Sequence, residues 1–164
     1  MITSRSFFTW FLGGPLLLAC STLLVGQSIA PSGSTSIHAT TAGKKVDLAI
    51  RAARIESSSE IFPNIESGAK SVTLITDLQL TVNGARIFVP RSVFADLLDP
   101  RTTSIRPEKS DILLTISGGD GAESYFVSII FDSMKVKRRL LYSTLTPSVP
   151  SQVTTYTLSV LKDE

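Results

Sequence analysis

Residues 72–90 read VTLITDLQLTVNGARIFVP, and this stretch decides the fold class of the chain. Apolar residues occupy every second position along the chain, except where Thr76 interrupts them: Val72, Leu74, Leu78, Leu80 and Val82. Such alternation predicts a β-strand with one buried face. Asn83-Gly84 comes next, and this pair favours the positive φ angles of a type I′ turn. The stretch therefore predicts a β-hairpin whose second strand lies in residues 85–90.

A second hairpin is predicted by the same pattern further along the chain. The strands DILLTIS (residues 111–117) and SYFVSIIFD (residues 124–132) flank the glycine-rich GGDGAE (residues 118–123). The second strand is apolar on both faces. Phe126 and Ile130 lie on one face, and the other face carries Tyr125, Val127, Ile129 and Phe131. A strand of this kind is expected in the middle of a sheet that is covered on both sides.

The remaining segments complete a mainly β fold. Further strands are predicted in VDLAIRAARI (46–55), whose alanines also allow a helix, in KVKRRLLYST (135–144) and in QVTTYTLSVL (152–161). Residues 89–100, VPRSVFADLLDP, place their apolar side chains on one helical stripe that ends before Pro100, which predicts one short helix. We expect a single antiparallel β-sandwich or small barrel of six or seven strands with that helix.

The start of the chain has the composition of an export signal. Arg5 is the only charged residue before Lys44, and an apolar stretch follows it. A short basic start with an apolar run is typical of a secretory signal, which does not belong to the fold. Residues 31–44, PSGSTSIHATTAGK, are rich in serine, threonine and glycine. We therefore predict an export signal over 1–20, a flexible tether over 21–44 and the folded domain over 45–164.

The end of the signal resembles a known motif. Leu17-Leu18-Ala19-Cys20 is similar to the lipobox of bacterial lipoproteins. The resemblance implies that the Cys20 thiol receives a diacylglyceryl group and that Cys20 becomes the mature N-terminus after cleavage behind Ala19. Ser21 resembles the residue found after the cysteine in lipoproteins that are sent to the outer membrane.

Two other fates of the signal remain open at this stage. Ordinary signal peptidase could cleave near Ser28-Ile29-Ala30, a site with small residues at its first and third positions. Alternatively, the apolar run through Val25 approaches the length of about 20 residues that spans a bilayer, and it could remain as an uncleaved anchor. All three fates place the domain across a membrane, in the cell envelope and facing the periplasm.

Composition argues against several classes of function. Cys20 is the only cysteine, so no disulfide framework is possible. His38 is the only histidine and lies in the predicted tether, away from any Ser-His-Asp triad or histidine-containing metal cluster of the domain. The net charge of +2 lacks the basic excess of a nucleic-acid-binding protein. We predict a protein that is not an enzyme, with no catalytic residues, no metal or other cofactor, and no nucleic-acid partner.

Two stretches are candidates for contact with a partner. In KVKRR (135–139), strand alternation would send Lys135, Lys137 and Arg139 outward, toward an acidic protein or lipid phosphates, and would turn Arg138 toward the core. The alternative is a solvated outer face. The second candidate is the glycine-rich loop, through its members Gly119, Asp120, Gly121 and Glu123. Successive glycine amides can bind an anion, although an ordinary hairpin turn also explains this loop.

Two functional hypotheses follow from these observations. In the first, the chain is a small membrane-tethered envelope protein whose β-domain binds another protein, as an inhibitor, an immunity factor or a subunit of an assembly. In the second, the domain is a carrier for a small apolar ligand or lipid. A carrier needs a lined apolar pocket, whereas a binding module fills its interior with side chains.

Overall fold

The computed structural model describes residues 26–41, 43–56 and 71–157. The described residues form a mainly β structure of two antiparallel sheets, and neither sheet closes into a barrel. The strands are β1 (Gln27–Ser28), β2 (Gly33–Thr41), β3 (Lys44–Glu56), β4 (Ser71–Val82), β5 (Ala85–Ile87), β6 (Pro100–Glu108), β7 (Asp111–Gly118), β8 (Tyr125–Phe131), β9 (Val136–Ser143) and β10 (Gln152–Thr155). This count exceeds the predicted six or seven strands.

Both predicted hairpins are present, because the two strands of each lie next to each other in a sheet. One sheet has six strands in the order β1-β6-β7-β8-β9-β10, and the other has four in the order β2-β3-β4-β5. The β4–β5 hairpin is confirmed, with Val82 opposite Ala85 and positive φ at both Asn83 and Gly84. The β7–β8 hairpin is confirmed as well, and β8 lies inside the six-stranded sheet as predicted. The predicted cover on both sides is wrong, because Phe126 and Ile130 lie half-buried on the face that points away from the other sheet.

Both sheets contribute side chains to one hydrophobic core. The alternating residues of β3 and β4 pack in the same cluster as those of β7 and β8, with Leu48, Leu80, Leu114 and Phe131 among its fully buried members. Full burial of an aliphatic or aromatic side chain of this size contributes about 1.5–3 kcal/mol. The period of two predicted this common interior for the second half of β4, from Leu78 to Val82. It is wrong for the first half, because a β-bulge leaves Thr76 unpaired and shifts the alternation, so that Ile75 joins the core cluster whereas Val72 and Leu74 are buried outside it.

The predicted tether is wrong for residues 33–41. They form β2, which pairs with β3 along nine residues. Ile29 precedes this strand and is only 4 % exposed, and its amide donates to the carbonyl of Arg101 at 2.8 Å. Polar residues suffice for an edge strand, because β3 supplies the hydrogen-bonding partner and threonine suits a pleated, half-buried surface. The folded part thus begins before the predicted boundary at residue 45.

The predicted helix is also wrong. Residues 91–93 form one turn of 3-10 helix, and the described residues contain no α-helix. Val93, Phe94 and Leu97 are nevertheless buried in the core, as the apolar stripe predicts. The segment then turns into a bridge between Leu98 and Leu74, so contacts with β4 outweigh the local preference for helix.

Candidate partner-binding surface

The outer face of the six-stranded sheet, which points away from the core, carries a group of apolar side chains. Phe126 on β8 lies opposite Tyr142 on β9, and their rings stack with centroids 4.5 Å apart and planes 9° from parallel. We call the following group the apolar patch: Leu113, Phe126, Ile130, Leu140 and Tyr142. Leu113 is buried among its neighbours and the other four are half-buried. Aromatic and aliphatic side chains at this level of exposure are typical of the centre of a protein interface.

Two arginines flank the apolar patch. Arg106 on β6 lies opposite Leu113, and Arg138 on β9 lies opposite Ile130, so the four residues form one row across the sheet. Both arginines are exposed, and neither forms an ion pair with any residue that the structure describes. Arginine beside aromatic side chains is the combination that most often dominates the binding energy of an interface.

The predicted orientations of the charged residues on β9 are reversed for Arg138 and Arg139. Ile130 pairs with Arg138, whereas Phe131 pairs with Val136, which leaves Lys137 as the additional residue of a β-bulge. A bulge shifts the alternation by one position. Arg138 therefore points outward, and Arg139 points inward with only 1 % of its surface exposed. Arg139 cannot contact a partner as the sequence predicted.

Arg139 instead joins three parts of the chain. Its guanidinium donates to both carboxylate oxygens of Asp96 at 2.8 and 2.7 Å and to the side-chain oxygen of Gln152 at 2.5 Å. Its Nε donates to the carbonyl of Val93 at 3.0 Å. Both bonds to Asp96 come from Nη2, while Nη1 bonds Gln152 and Nε bonds Val93, so each guanidinium nitrogen has a partner. Arg139 thus fastens residues 93–96 and β10 to β9, and its role is structural.

Lys137 and Lys135 lie at the end of the sheet. The Lys137 ammonium binds Asp111 at 2.8 Å and Asp132 at 3.2 Å, and these two hydrogen bonds raise its pKa. Partial desolvation raises the pKa of the Asp132 carboxyl, but hydrogen bonds from the amides of Met134 and Lys135 and from Lys137 outweigh it and hold that pKa below its usual range. Lys137 is therefore engaged within the domain, whereas Lys135 forms no ion pair among the described residues.

The glycine-rich loop is a hairpin turn between β7 and β8. Its Asp120 side chain accepts a hydrogen bond from the Gly121 amide at 2.9 Å and lies 3.3 Å from Arg101. Gly119 has a φ of 76°, and a Cβ there would meet the carbonyl oxygen of Glu123 at 2.3 Å. The glycine is thus explained by the turn itself. Glu123 is exposed, and all four predicted loop residues lie at the end of the sheet opposite Lys135.

Tyr125 begins β8 and is a buried ionisable group. Burial, together with the nearby carboxylates of Asp96 and Asp99, raises the pKa of its phenol. The hydroxyl donates to the carbonyl of Leu98 at 2.9 Å. A phenol that remains protonated and is already bonded suits a structural role, since it holds the β5–β6 connection against β8.

A surface groove of about 570 Å³ lies between β4 and the β5–β6 connection. Its lining is mixed, with three charged residues, Asp77, Arg86 and Arg91, and five apolar ones: Leu78, Ile87, Phe88, Val89 and Phe94. An apolar ligand would leave these charged groups without water, which is unfavourable. The groove therefore does not have the apolar lining that a lipid carrier needs.

Two other kinds of site are absent from the described ranges. No cluster of histidine, cysteine, aspartate or glutamate there could hold a metal ion. None of the helical segments described in the structure has the length and apolar character needed to cross a membrane.

Cys20 and the other residues of the predicted signal lie outside the described ranges. His38 is an exposed residue of β2, and its Nδ1 lies 2.7 Å from the carboxylate of Asp47.

Comparison with known proteins gives no relative for this chain. No protein-family model, no curated protein and no solved structure matches it.

Sequence reasoning missed two features of this surface. Arg106 was not singled out, although the alternation of Ser104, Arg106 and Glu108 in β6 predicts that these residues share one face. The stacking of Phe126 on Tyr142 depends on the register of β8 against β9, and the single sequence carries no signal for that register.

Proposed function

We propose that this chain is an exported, membrane-tethered protein of the cell envelope, whose non-catalytic domain packs as a β-sandwich and binds another protein. The apolar patch with Arg106 and Arg138 is the observation that carries the proposal. It lies in the middle of a sheet face that the other sheet does not cover. An inhibitor, an immunity factor or a subunit of an envelope assembly would each use a surface of this composition.

Protein binding is favoured over transport of a small apolar ligand by the distribution of apolar side chains. Between the sheets, the side chains of β3, β4, β7 and β8 pack against one another in a single cluster. The groove beside β4 has apolar walls but also three charged side chains, those of Asp77, Arg86 and Arg91, which an apolar ligand would separate from water. The exposed apolar surface therefore lies on the outside of the sheet, where a protein partner can reach it.

The position of Ile29 favours retention of the residues before it. Cleavage behind Ala30 would remove β1 and with it Ile29, which is buried in the core and bonded to Arg101. Cleavage behind Ala19 keeps both in the mature chain. This supports the lipobox interpretation over cleavage by ordinary signal peptidase.

The length of chain before β1 also supports attachment at Cys20. Gln27 pairs with Thr103, and β6 continues for five residues to Glu108 before it turns, a distance of about 17 Å. The seven residues from Cys20 to Gln27 reach at most about 25 Å, which covers that distance. The two residues from Val25 to Gln27 reach only about 7 Å. A chain attached through a lipid on Cys20 is therefore long enough to reach past the end of β6 to a membrane surface. A chain whose membrane span ends at Val25 is too short to do so.

Partner capture from envelope membranes tests the protein-binding part. The full chain, with a photo-crosslinking amino acid in place of Thr115 on the outer face, should crosslink to one envelope protein. The double variant Arg106→Gln/Arg138→Gln and the variant Tyr142→Ser should each lose that product. The matched control is Arg51→Gln/Arg86→Gln, which removes two exposed charges from the four-stranded sheet. If the product forms equally well with the patch variants, the outer face is not the binding surface.

Incorporation of labelled fatty acid tests the tether. The wild-type chain should take up the label, and Cys20→Ser should not, because the serine hydroxyl cannot replace the thiol in lipoprotein maturation. Equal labelling of both chains would exclude lipidation at Cys20.

A further inference from the structure

One end of the domain gathers the β2–β3, β4–β5, β6–β7 and β8–β9 turns. Neighbouring strands are antiparallel in both sheets, so alternate turns of each sheet share an end. Three contacts bring the turns together: the Asn83 amide donates to the carbonyl of Lys45 at 2.8 Å, Lys137 binds Asp111, and the Lys44 ammonium lies 3.5 Å from the carbonyl of Ser110. The last contact joins the two sheets.

We call this region the basic end, because positive charge is in excess there. Six basic and three acidic residues lie within two positions of the four turns. The basic residues are Lys44, Lys45, Arg86, Lys109, Lys135 and Lys137, and the acidic ones are Glu108, Asp111 and Asp132. Lys137 binds both aspartates, whereas the other five basic side chains form no ion pair with described residues. Their charge is therefore available to an external anion.

The opposite end of the six-stranded sheet has the reverse character. Its β7–β8 turn carries Asp120 and Glu123, and the residues between β9 and β10, 144–151, carry no charge. Neither connection contains a lysine or arginine, and Arg101 at the start of β6, on the same end, is paired with Asp120 at 3.3 Å. The domain is thus electrically asymmetric along its strands.

The first described strand, β1, is directed away from the basic end. β1 is antiparallel to β6, and β6 runs toward the basic end, so β1 runs away from it. The chain direction at Gln27 therefore has the basic end behind it, about 17 Å away along β6 from Thr103 to Glu108. Met134, in the β8–β9 turn, is 76 % exposed at the same end. An apolar side chain amid lysines fits the boundary between lipid headgroups and acyl chains.

We propose that the basic end lies on the anionic lipid surface in which the N-terminus is anchored. This inference rests on the tether of the proposed function. Lysines close to an anionic membrane are each attracted to its surface potential, within a Debye length of about 8–10 Å. The strands then stand upright on the membrane, and the apolar patch faces sideways, where another envelope protein can bind it.

Energy transfer from the domain to the lipid tests the orientation. The full chain is reconstituted in vesicles of phosphatidylcholine alone or with added phosphatidylglycerol, each containing an acceptor-labelled lipid. A clickable amino acid replaces either Met134 at the basic end or Ala122 at the opposite end, and it carries the donor dye. The eight residues of β7 separate these ends by about 26 Å, which energy transfer resolves.

We expect greater transfer from position 134 than from position 122 in the anionic vesicles. The difference should disappear in neutral vesicles, in high salt, and in the variant Lys44→Gln/Lys45→Gln/Lys109→Gln/Lys135→Gln. The matched control removes four exposed positive charges outside the basic end and the apolar patch, as Arg51→Gln/Arg54→Gln/Arg91→Gln/Arg101→Gln, and should retain the difference. Equal transfer from both positions in anionic vesicles, or a difference that survives the lysine substitutions, would overturn the orientation.

Flotation separates this outcome from a failure of the tether. The anchored chain should float with neutral vesicles whatever the charge of the basic end. A chain that floats but shows no orientation contradicts only the inference made in this section, whereas a chain that does not float with neutral vesicles overturns the tether and the orientation together.

Discussion

The bond between Arg139 and Asp96 leads to a direct test of the structure. Arg139 is 1 % exposed, and Asp96 holds its guanidinium with two hydrogen bonds. In Asp96→Asn, the guanidinium stays buried without its counter-charge. Removing one member of a fully buried ion pair costs about 3–5 kcal/mol. The Asp96 side chain is 53 % exposed, so water can partly replace it, and we expect a loss of about 2 kcal/mol in unfolding free energy.

Denaturant unfolding measures this loss. The full chain in detergent is followed by circular dichroism as urea is increased, for the wild type, Asp96→Asn and Arg138→Gln. A loss of about 2 kcal/mol corresponds to a fall of roughly 8 °C in Tm for a domain of this size. Arg138→Gln removes one charge, of the opposite sign, from the outer face and should change stability by less than about 0.5 kcal/mol.

A double-mutant cycle strengthens the test. Arg139→Met keeps much of the side-chain volume and removes the charge, so the combination Asp96→Asn/Arg139→Met should lose less stability than the sum of the two single changes. If Arg138→Gln destabilises the domain and Asp96→Asn does not, then the β-bulge at Lys137 is misplaced and Arg138 is the buried residue.

Three further predictions concern the turn, the N-terminal strands and acid stability. Gly84→Val should lower unfolding free energy by about 1 kcal/mol or more relative to Gly84→Asn, measured by thermal unfolding, because Gly84 has a φ of 83° that a β-branched residue tolerates poorly. A chain shortened to residues 31–164 should lose cooperative unfolding that residues 21–164 retain, since only the longer fragment has Ile29 in the core; equal melts of the two fragments would contradict the assignment of β1. The lowered pKa of Asp132 stabilises the fold above its ordinary value of 3.8, and this contribution disappears as pH falls through the lower folded value. Urea titrations across that acidic window should therefore show a shallower loss of stability for Asp132→Asn than for the wild type.

Local patterns in the sequence determined the two hairpins. The turn at Asn83-Gly84 requires positive φ, which these two residues adopt with little strain, and the flanking alternation is a property of each strand alone. The apolar residues on both faces of β8 predicted a central strand, which the sheet order confirms, but they also predicted cover on both sides, and the side of Phe126 faces away from the other sheet. The same period predicted the core residues of β4 after its bulge, Leu78, Leu80 and Val82, but not Ile75 before it, because the bulge depends on the pairing with β3.

Other elements depended on partners that are distant in sequence. β2 has no apolar period, and it is a strand because β3 offers nine residues of backbone pairing. Residues 91–98 carry a helical stripe, yet the bridge from Leu98 to Leu74 and the bonds of Arg139 to Asp96 and Val93 hold them in turns. Local propensity is weak beside such tertiary contacts.

The candidate surface was decided by tertiary structure in the same way. The cluster KVKRR was visible in the sequence, but which arginine faces the partner depends on the bulge at Lys137, which forms between β8 and β9. One inserted residue exchanges the faces of every side chain after it, because the side-chain period of a strand is two. The sequence by itself therefore determined that this strand is basic and that the domain is mainly β. The pairing of β9 with β8 decided that Arg138 faces out beside the apolar patch and that Arg139 is buried against Asp96.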